Sequence, residues 1–481
     1  MRPFGKAFMA LGLLLGMAGT ASAYPSVFPT GVTINKPDKA YNGYTVLNPL
    51  RATPHGVPLI DMNGKVVHKW MNVEGQPAKV LPGGNLLATL VHYDPANWLA
   101  RKSEGFTVVE MDWDGKIVWS FDKYEQRKAT EEMVKIKGDT YWSSNAHHDI
   151  QREGNPVGYD VPGMNYVKDG KTLIAGFKTI DGKDTATLYI VDKDGNIVWE
   201  WIYKDHEEEY KAKGIADFQN TASWVGPNKW YDSDPVKYAA FHPDNIITDD
   251  GQEVIYIIDH KTGSVAWQCG PDYPKDSPLR LMGMHLPEGG FKGLPAGGMM
   301  HNAHIIPKGL PGEGNVIVFN NGLPFSQVLE FNPITLEKVW EYSGLAVGYA
   351  PNHSLAHSFF SATISGVQRL PNGNTLICEG NDGRVFEVTP DLEIVWEYIV
   401  PFMWYGTASG FGDAETHSTM RVKPTNSTYR AYRIPYSYIP QLKHDPEKEV
   451  IPADPFIYDD ALRNAGAVEV ESEEFTPFKR Y

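Results

Sequence analysis

Histidines in this chain gather at a few predicted strand starts, each beside asparagine or aspartate. The segments are NAHHD at 145–149, FHPDN at 241–245 and HNAH at 301–304. Neutral imidazole can act as a nucleophile or as an acid and base near pH 7, and histidine with aspartate also ligates zinc or iron. One such histidine is more often a structural residue than a functional one. Three segments in separate parts of the chain favour a shared site, and both chemistries stay open here.

Common metal-ligand spacings are missing from the sequence. It contains no HExxH, CxxC or His-x-His motif, which are spacings that bring metal ligands onto one face of a helix, turn or strand. We therefore predict no metal centre and no other cofactor, and nucleophilic or acid–base use of histidine is the favoured hypothesis.

The charge balance excludes one class of partner. The 481 residues include 59 Asp and Glu against 44 Lys and Arg, which gives a formal net charge of −15. Binding to nucleic acid needs a basic surface, so no nucleic-acid partner is expected. With 42% hydrophobic and 21% charged residues, the composition is that of a folded globular protein rather than a disordered chain.

The first 23 residues have the pattern of a secretory signal peptide. Two basic residues precede a short apolar run at 9–18, and small residues stand before a cleavage site after Ala23. We expect cleavage there and export to the periplasm, with a retained N-terminal anchor as the alternative. No other apolar run is long enough to span a membrane. Export permits a disulfide between Cys269 and Cys378, although two buried free thiols are the simpler expectation.

A repeated phrase predicts the elements that hold the histidines. Six copies place a polar turn before an apolar pair and a Trp, which His68 replaces in the first copy: DMNGKVVHKW (61–70), DWDGKIVWSF (112–121), DKDGNIVWEW (192–201), HKTGSVAWQCG (260–270), NPITLEKVWEY (332–342) and TPDLEIVWEY (389–398). A second phrase, such as LPNGNTLICEG at 370–380, precedes several copies. Turns with Asp-Gly or Asn-Gly join strands in hairpins, and repeats at intervals of roughly 50–80 residues stack as propeller blades. The sequence predicts an all-β fold, a six-bladed β-propeller over 42–442. A two-sheet sandwich is the alternative, but it does not explain six copies.

Other segments are predicted to flank or interrupt the blades. Residues 24–41 form a short N-terminal arm, and 443–481 form an acidic, Pro-containing, irregular tail. Helix is predicted only near 123–137 and 206–213, both as insertions. The Pro- and Gly-rich segment 270–300 is predicted to be a long loop over a functional face.

The propeller offers a reason for the histidines to meet. The segment that leads into the innermost strand of a blade comes close to the central axis, and functional side chains often sit on such connections of a rigid scaffold. Residues from different blades can therefore converge although they are far apart in sequence.

Four stretches resemble the bacterial arylsulfate sulfotransferases that work without the nucleotide sulfate donor. They are HHDIQREGNPVGYDVPGMNY (147–166), FHPDNIITDDGQEVIYIIDHKTGSVAW (241–267), HNAHIIPKGLPGEGNVIVFNNG (301–322) and SGVQRLPNGNTLICEGNDGRVFEVTPDLEIVWEY (365–398). The resemblance implies a six-bladed propeller in the periplasm that moves a sulfuryl group from an aryl sulfate to a phenol through a sulfated histidine. Small-molecule phenols and aryl sulfates are the partners it implies, and it also admits a homodimer.

The resemblance also implies a set of catalytic residues. His301, in a His-x-Ala pattern before a GNxxVFxNG strand, fits the nucleophile. His148 fits the family's histidine in a His-His-Asp segment, and His242 fits the next histidine along the chain. For substrate binding the resemblance implies Asn245, His260, His304 and Thr363, with Ser365 as an alternative hydroxyl. His260 stands where the family carries an arginine.

Two functions of other classes remain open from the sequence. One is a non-catalytic propeller that binds a ligand or serves as a scaffold, and the other is a redox propeller that depends on a metal or a quinone. Convergence of His301 with His148 and His242 would favour the sulfotransferase over both.

Overall fold

The computed structural model is built almost entirely of four-stranded antiparallel sheets. It describes residues 29–49, 56–90, 107–129, 134, 138–155, 157–164, 166–252, 254–271, 300–322, 325–350, 354, 358–402, 404–405 and 424–451. In that part of the chain six large sheets follow one another, so the predicted six-bladed β-propeller is confirmed. The predicted signal peptide, most of the loop predicted at 270–300 and the tail beyond residue 451 lie outside the described residues.

The blades follow the chain in order. Blade 1 combines one strand from late in the chain with three early strands, and blades 2 to 5 each contain four consecutive strands. Blade 1 consists of β29 (Thr428–Ile434), β2 (Tyr44–Pro49), β3 (Val57–Ile60) and β4 (Val66–Trp70). Blade 2 consists of β5 (Glu74–Val80), β6 (Leu86–Leu90), β7 (Thr107–Met111) and β8 (Ile117–Phe121). Blade 3 consists of β11 (Ala146–Arg152), β12 (Thr172–Ile180), β13 (Lys183–Val191) and β14 (Ile197–Ile202).

The remaining blades complete the circle. Blade 4 consists of β15 (Ala222–Trp224), β16 (Ile246–Asp249), β17 (Ile255–Ile258) and β18 (Val265–Cys269). Blade 5 consists of β19 (Met300–Ile305), β20 (Val316–Asn320), β21 (Gln327–Phe331) and β22 (Lys338–Tyr342). Blade 6 consists of β23 (Gly366–Arg369), β24 (Thr375–Glu379), β25 (Arg384–Val388) and β26 (Ile394–Ile399), and β1 (Gly31–Asn35) is added at its outer edge.

The two ends of the chain close the ring. β29 pairs antiparallel with β2, from Tyr44 opposite Ile434 to Pro49 opposite Thr428, so the last strand of the described residues becomes the innermost strand of the first blade. β1 covers the edge of blade 6, where Asn35 also exchanges two backbone hydrogen bonds with Val450. Pairing an exposed sheet edge in this way satisfies N–H and C=O groups that would otherwise be open.

The core lies between neighbouring blades. Leu173 and Leu188 of blade 3, for example, pack in one cluster with Ile246 and Ile258 of blade 4. A sheet buries its two faces only when another sheet covers each of them, which is why the repeats must stack. Cys269 and Cys378 are buried free thiols, as the simpler of the two expectations had it.

Helix is scarce in the described residues. The prediction near 206–213 is confirmed by α1 (Glu207–Ala212), and α2 (Lys229–Ser233) adds one more turn; short 3₁₀ segments lie at Tyr203–His206, Ala239–Phe241, Gly380–Asp382 and Tyr436–Tyr438. No helix in the described ranges combines the length and the apolar character needed to cross a membrane.

The helix predicted at 123–137 is wrong over its first part. Residues 125–128 form β9 (Glu125–Lys128), which pairs with β10 (Thr140–Ser143); a second small hairpin joins β27 (Trp404–Tyr405) to β28 (Pro424–Thr425). The Glu125 carboxylate accepts hydrogen bonds from Asn145 and Thr179, and Arg127 forms an ion pair with Asp184. These contacts with blade 3 outweigh a local helical preference.

The repeated Trp has a structural role that explains its recurrence. In five blades the indole N–H donates to a backbone carbonyl in the outer turn of the next blade, at distances of 2.8–3.1 Å. The pairs are Trp119 with Lys193, Trp199 with His260, Trp267 with Pro333, Trp340 with Pro390, and Trp396 with Met62. In blade 1 the His68 ring stacks on Trp113 and bonds to its backbone. The phrase thus ties each blade to its neighbour.

Replacing Trp396 with phenylalanine should destabilise the ring where its last blade meets its first. Trp396 is fully buried and its N–H is the partner of the Met62 carbonyl. Leaving a buried carbonyl without a donor costs about 1–3 kcal/mol. We expect the free energy of unfolding in denaturant to fall by about 2 kcal/mol. Trp142→Phe is the control, because Trp142 is 46% exposed; equal losses for the two variants would contradict this role for the indole N–H.

Candidate active site

The strands that carry the histidines begin with irregular backbone. The register of β11 shifts between Ala146 and Ile150, and that of β19 shifts between His301 and His304. His148 has φ +65° and Asn302 has φ +59°, in the left-handed region that side chains other than glycine rarely adopt. Bulges re-aim side chains, and such strained residues concentrate at functional sites.

These bulges bring imidazoles from blades 3 and 5 together across the axis. The rings of His147 and His148 stack with centroids 3.7 Å apart, and the rings of His148 and His301 lie 5.8 Å apart. Phe177 and Phe218 pack against the His147 ring. Two of the three histidines implied as catalytic, His148 and His301, therefore do meet.

Burial keeps this histidine cluster neutral at pH 7. Desolvation is the main cause that lowers the pKa of His301 and of His147, each to about 3. The pKa of His148 is lowered well below its ordinary value by burial, by the two neighbouring imidazoles and by Arg430. Neutral imidazole keeps a lone pair, which nucleophilic attack requires.

A buried ionic cluster lies beside the imidazoles. Asp149 follows His148 in β11 and binds two cations: Lys79 Nζ lies 2.6 Å from its Oδ1, and Arg430 Nη1 lies 3.0 Å from its Oδ2. Arg430 also donates to the Asn220 carbonyl at 3.0 Å. These residues come from the innermost strands of blades 1 to 3 and from the segment before β15, so they mark the axis. Two cations against one carboxylate leave a net positive charge next to the histidines, which suits an anionic ligand.

The sequence analysis missed Lys79 and Arg430. Arg430 lies in TYRAYRI, a strand at 428–434 that has two arginines among mostly apolar and aromatic residues. Both arginines are completely buried. Charged residues in a strand whose every side chain is buried were the signal that could have identified them, since buried charges need partners.

Several buried polar atoms around the axis have no hydrogen-bond partner among the described residues. They include His147 Nδ1, Gln151 Oε1 and Arg430 Nε. Buried polar groups in proteins are nearly always satisfied by protein, water or ligand. Donors and acceptors at this end of the axis are therefore available to a polar molecule.

His242, Asn245 and His260 are not part of this cluster. They line a separate surface cavity of about 230 Å³ together with Tyr231 and Asp244. His242 and Asn245 lie in the connection from β15 to β16, and His260 lies in the turn from β17 to β18, so both connections are at the end of blade 4 where β15 finishes. The histidine cluster is at the opposite end, where the innermost strands begin. The structure thus separates these three residues from His301.

His304 and Thr363 lie closer to the site but have other partners. The His304 Nδ1–H donates to the Asn302 carbonyl at 2.7 Å, and its Nε2 accepts from the Tyr159 hydroxyl at 2.8 Å, so both ring nitrogens are occupied. Burial lowers the pKa of His304 to about 4. Thr363 contacts Asn381, and the alternative hydroxyl, Ser365, bonds to Ser361. No group of three or more His, Cys, Asp or Glu among the described residues could hold a metal ion.

Comparison with known proteins identifies the family. The family model described as Arylsulfotransferase (ASST) matches residues 163–395. This chain belongs to the arylsulfotransferase family. It is accordingly a sulfotransferase enzyme, and phenol and aryl sulfate substrates fit this family. No curated protein matches the chain.

Two solved structures that are similar to this arylsulfotransferase have low sequence identity to it. A protein of unknown function from Bacteroides caccae is 10% identical with a TM-score of 0.42, over 82% of this chain and 99% of that chain. The Cps50 (Swd1) β-propeller domain of Myceliophteria thermophila is 10% identical with a TM-score of 0.37, over 79% of this chain and 89% of that chain. The fold assignment given above rests on the sheets of this arylsulfotransferase itself.

A buried carboxyl group near the site should make the stability of this arylsulfotransferase depend on pH. Burial raises the pKa of Asp249 to about 7, although Thr221 and the backbone of Gly251 hydrogen-bond to its carboxyl group. The folded protein therefore holds a proton between pH 4 and 7 that the unfolded chain has lost, so this residue lowers stability as pH rises through that range. Asp249→Asn should stabilise the protein by about 3 kcal/mol more at pH 8 than at pH 5.

Thermal melts of both proteins at the two pH values measure this difference. Asp391→Asn is the control, since Asp391 is exposed in the turn before β26. A pH-independent gain in Asp249→Asn would show that the carboxyl group is ionised in the folded protein at both pH values.

Proposed function

We propose that this arylsulfotransferase moves a sulfuryl group from an aryl sulfate to a phenolic acceptor through a sulfohistidine at His301, without a nucleotide sulfate donor. The observation that supports the proposal most directly is the position of the His301 ring. It is neutral, it faces the His148 ring across the axis at 5.8 Å, and the excess positive charge of the Lys79–Asp149–Arg430 cluster lies next to it.

The first half-reaction follows from these positions. The Nε2 lone pair of His301 attacks sulfur, the bond from sulfur to the aryl oxygen breaks, and the phenolate leaves with that electron pair. Sulfuryl transfer resembles phosphoryl transfer, in which positioning and charge stabilisation provide most of the catalysis. Arg430 and Lys79 stabilise the negative charge on the sulfuryl oxygens and on the leaving oxygen.

The second half-reaction returns the enzyme to its starting state. The acceptor oxygen attacks sulfur, the bond from nitrogen to sulfur breaks, and the electron pair returns to Nε2. His148 is the base that takes the acceptor proton, because its ring is neutral in the empty site and faces the His301 ring at 5.8 Å. A bound sulfuryl anion raises the proton affinity of this imidazole relative to the empty site. His148 then releases this proton to solvent, and the phenolate released in the first half-reaction takes up a proton from solvent, so no proton is gained or lost overall.

Mass spectrometry of enzyme quenched with an aryl sulfate tests the proposal. A mass gain of one SO₃ group on the peptide that contains His301 is the expected result. Release of phenol from the donor with the label on another residue, or with no label during turnover, would contradict it.

We further propose that the protein is exported to the periplasm and cleaved after Ala23. The support is the basic, apolar and small-residue pattern of its first 23 residues. N-terminal sequencing of the exported protein should begin at Tyr24. A protein that keeps its N-terminus and stays in the membrane fraction would instead carry a retained anchor.

A further inference from the structure

We infer that Asn321 is a positioning residue that fixes which nitrogen of His301 carries the proton, so that Nε2 is the atom that receives the sulfuryl group. The inference rests on the proposed function and adds a residue that neither the sequence analysis nor the family resemblance named. Its basis is a short contact: His301 Nδ1 lies 2.6 Å from Asn321 Oδ1, and both side chains are buried.

The other contacts of Asn321 determine the orientation of its amide. Its Nδ2 lies 2.7 Å from the Ser361 carbonyl and 2.9 Å from the Ile364 carbonyl. Carbonyl oxygens only accept, so the NH₂ group must face them and the amide oxygen must face the imidazole. An amide oxygen also only accepts, so His301 Nδ1 must carry the hydrogen. A neutral imidazole has one N–H, which leaves the lone pair on Nε2.

The segment that supplies the two carbonyls is itself held firmly. Ile364 and Ser365 have φ values of +57° and +91°, a conformation that needs support from the surrounding structure. The backbone N–H of Ser361 donates to Ser326 Oγ at 2.9 Å, and Ser326 Oγ donates to the Asn321 carbonyl at 3.3 Å. The segment that leads into blade 6 therefore holds Asn321 of blade 5 by hydrogen bonds. The orientation of the Asn321 amide is fixed before substrate binds.

This arrangement serves both half-reactions. When Nε2 bonds to sulfur the imidazole becomes cationic, and the hydrogen bond from Nδ1–H to Asn321 becomes charge-assisted and stronger. The proton stays on Nδ1 throughout, so the ring accepts and releases the sulfuryl group with no proton transfer of its own. Without Asn321 the ring can adopt the other tautomer, in which Nε2 carries the hydrogen and cannot attack.

Single-turnover kinetics on three variants separates positioning from structure. The measured quantity is the burst of phenol released from 4-nitrophenyl sulfate as His301 is sulfated. Asn321→Ala should slow the burst by about 10²-fold or more, since a wrong tautomer costs up to about 10⁴-fold in serine proteases. Asn321→Asp should keep most of the rate, because a carboxylate accepts the same hydrogen bond. It should also move the acid limb of the pH profile to higher pH, since an anionic neighbour favours the protonated imidazole.

Asn374→Ala is the matched structural control. Asn374 is also buried, and it lies in the turn between β23 and β24, at the opposite end of the blade. Its side chain donates to Glu387 and to the Lys39 carbonyl. It should lower the melting temperature and leave the burst unchanged. If Asn321 only supported the fold, the burst rates of the two Asn321 variants would fall in step with their melting temperatures, and neither variant would shift the pH profile. That result would overturn the inference.

The tautomer can also be read independently of activity. Imidazole nitrogen resonances of ¹⁵N-labelled enzyme, assigned to His301 by their loss in His301→Gln, should show a protonated Nδ1 and an unprotonated Nε2 at pH 7. A protonated Nε2 in the wild-type enzyme would overturn the inference. If no SO₃ is ever found on His301, the proposed nucleophile fails, and the spectrum still decides whether Asn321 fixes the tautomer.

Discussion

Replacing His301 with glutamine should reduce turnover of an aryl sulfate by at least about 10⁴-fold while the protein stays folded. Glutamine has a similar length and can donate to Asn321 in place of the ring, but it has no nucleophilic nitrogen. Loss of a covalent nucleophile removes the two-step route altogether, so the residual rate reflects only binding and charge stabilisation. Phenol release from 4-nitrophenyl sulfate measures the effect, and circular dichroism and the melting temperature establish the fold.

His242→Gln is the matched variant that should keep its activity. The resemblance to the family implied a catalytic role for His242, whereas the structure places it in a cavity at the opposite end of blade 4. His242→Gln should therefore turn over near the wild-type rate. A loss as large as that of His301→Gln would show that the sequence resemblance locates the site better than the geometry does.

The blades were predictable because their signals are local. Each repeated phrase contains its own turn and its own Trp, and the Trp meets the same turn position of the next blade. A pattern of this kind requires no knowledge of distant pairing. Closure of the ring by β29 was not predictable in this way, since β29 and β2 are almost the whole chain apart and share no repeated phrase. Arg430 was missed with it.

The position of His242 was mistaken for a similar reason. The sequence predicts FHPDN as the segment that enters the innermost strand of blade 4. The innermost strand is in fact β15, which has only three residues and none of the features of the repeated phrases. The strand after FHPDN is therefore the second one, and the loop lies at the other end of the blade. The segment that does enter β15 contains Asn220, whose carbonyl accepts from Arg430.

The rings of His148 and His301 lie 5.8 Å apart, and this arrangement depends on backbone features that cannot be read from the sequence. Both strands reach the axis through bulges, and His148 itself is in the left-handed region. Periodicity places a side chain on one face of a strand, but a bulge shifts every later side chain by one position. The sequence could indicate which blades contribute to the site, and only the backbone shows how their rings are aimed.

Replacing Asp149 with asparagine should be among the most destabilising single changes in the protein. The carboxylate is fully buried between Lys79 and Arg430, and it also accepts from the backbone of Ile150. Removing one partner from a buried ionic cluster costs about 3–5 kcal/mol, because the remaining charges are left uncompensated. Two cations would then face each other beside the imidazoles, so we also expect the burst of phenol release to fall.

The pH dependence of this effect has a definite sign. Burial alone would raise the pKa of Asp149, but Lys79 and Arg430 outweigh burial and hold it below the ordinary value. A carboxyl group with a lowered pKa stabilises the folded state above its unfolded pKa, and that contribution is lost as pH falls through the folded pKa. The difference in unfolding free energy between the wild-type protein and Asp149→Asn should therefore have its full size at pH 5 to 7 and become smaller only in stronger acid.

Asp184→Asn is the control for the ionic cluster. Asp184 forms a 2.6 Å ion pair with Arg127, but its side chain is 41% exposed. Exposed pairs contribute about 1 kcal/mol or less. Denaturant unfolding at pH 7 should thus separate the two variants clearly. Equal and small losses of unfolding free energy in the two variants would contradict this prediction. They would mean that water or a bound anion, rather than the Asp149 carboxylate, can compensate the positive charges of Lys79 and Arg430.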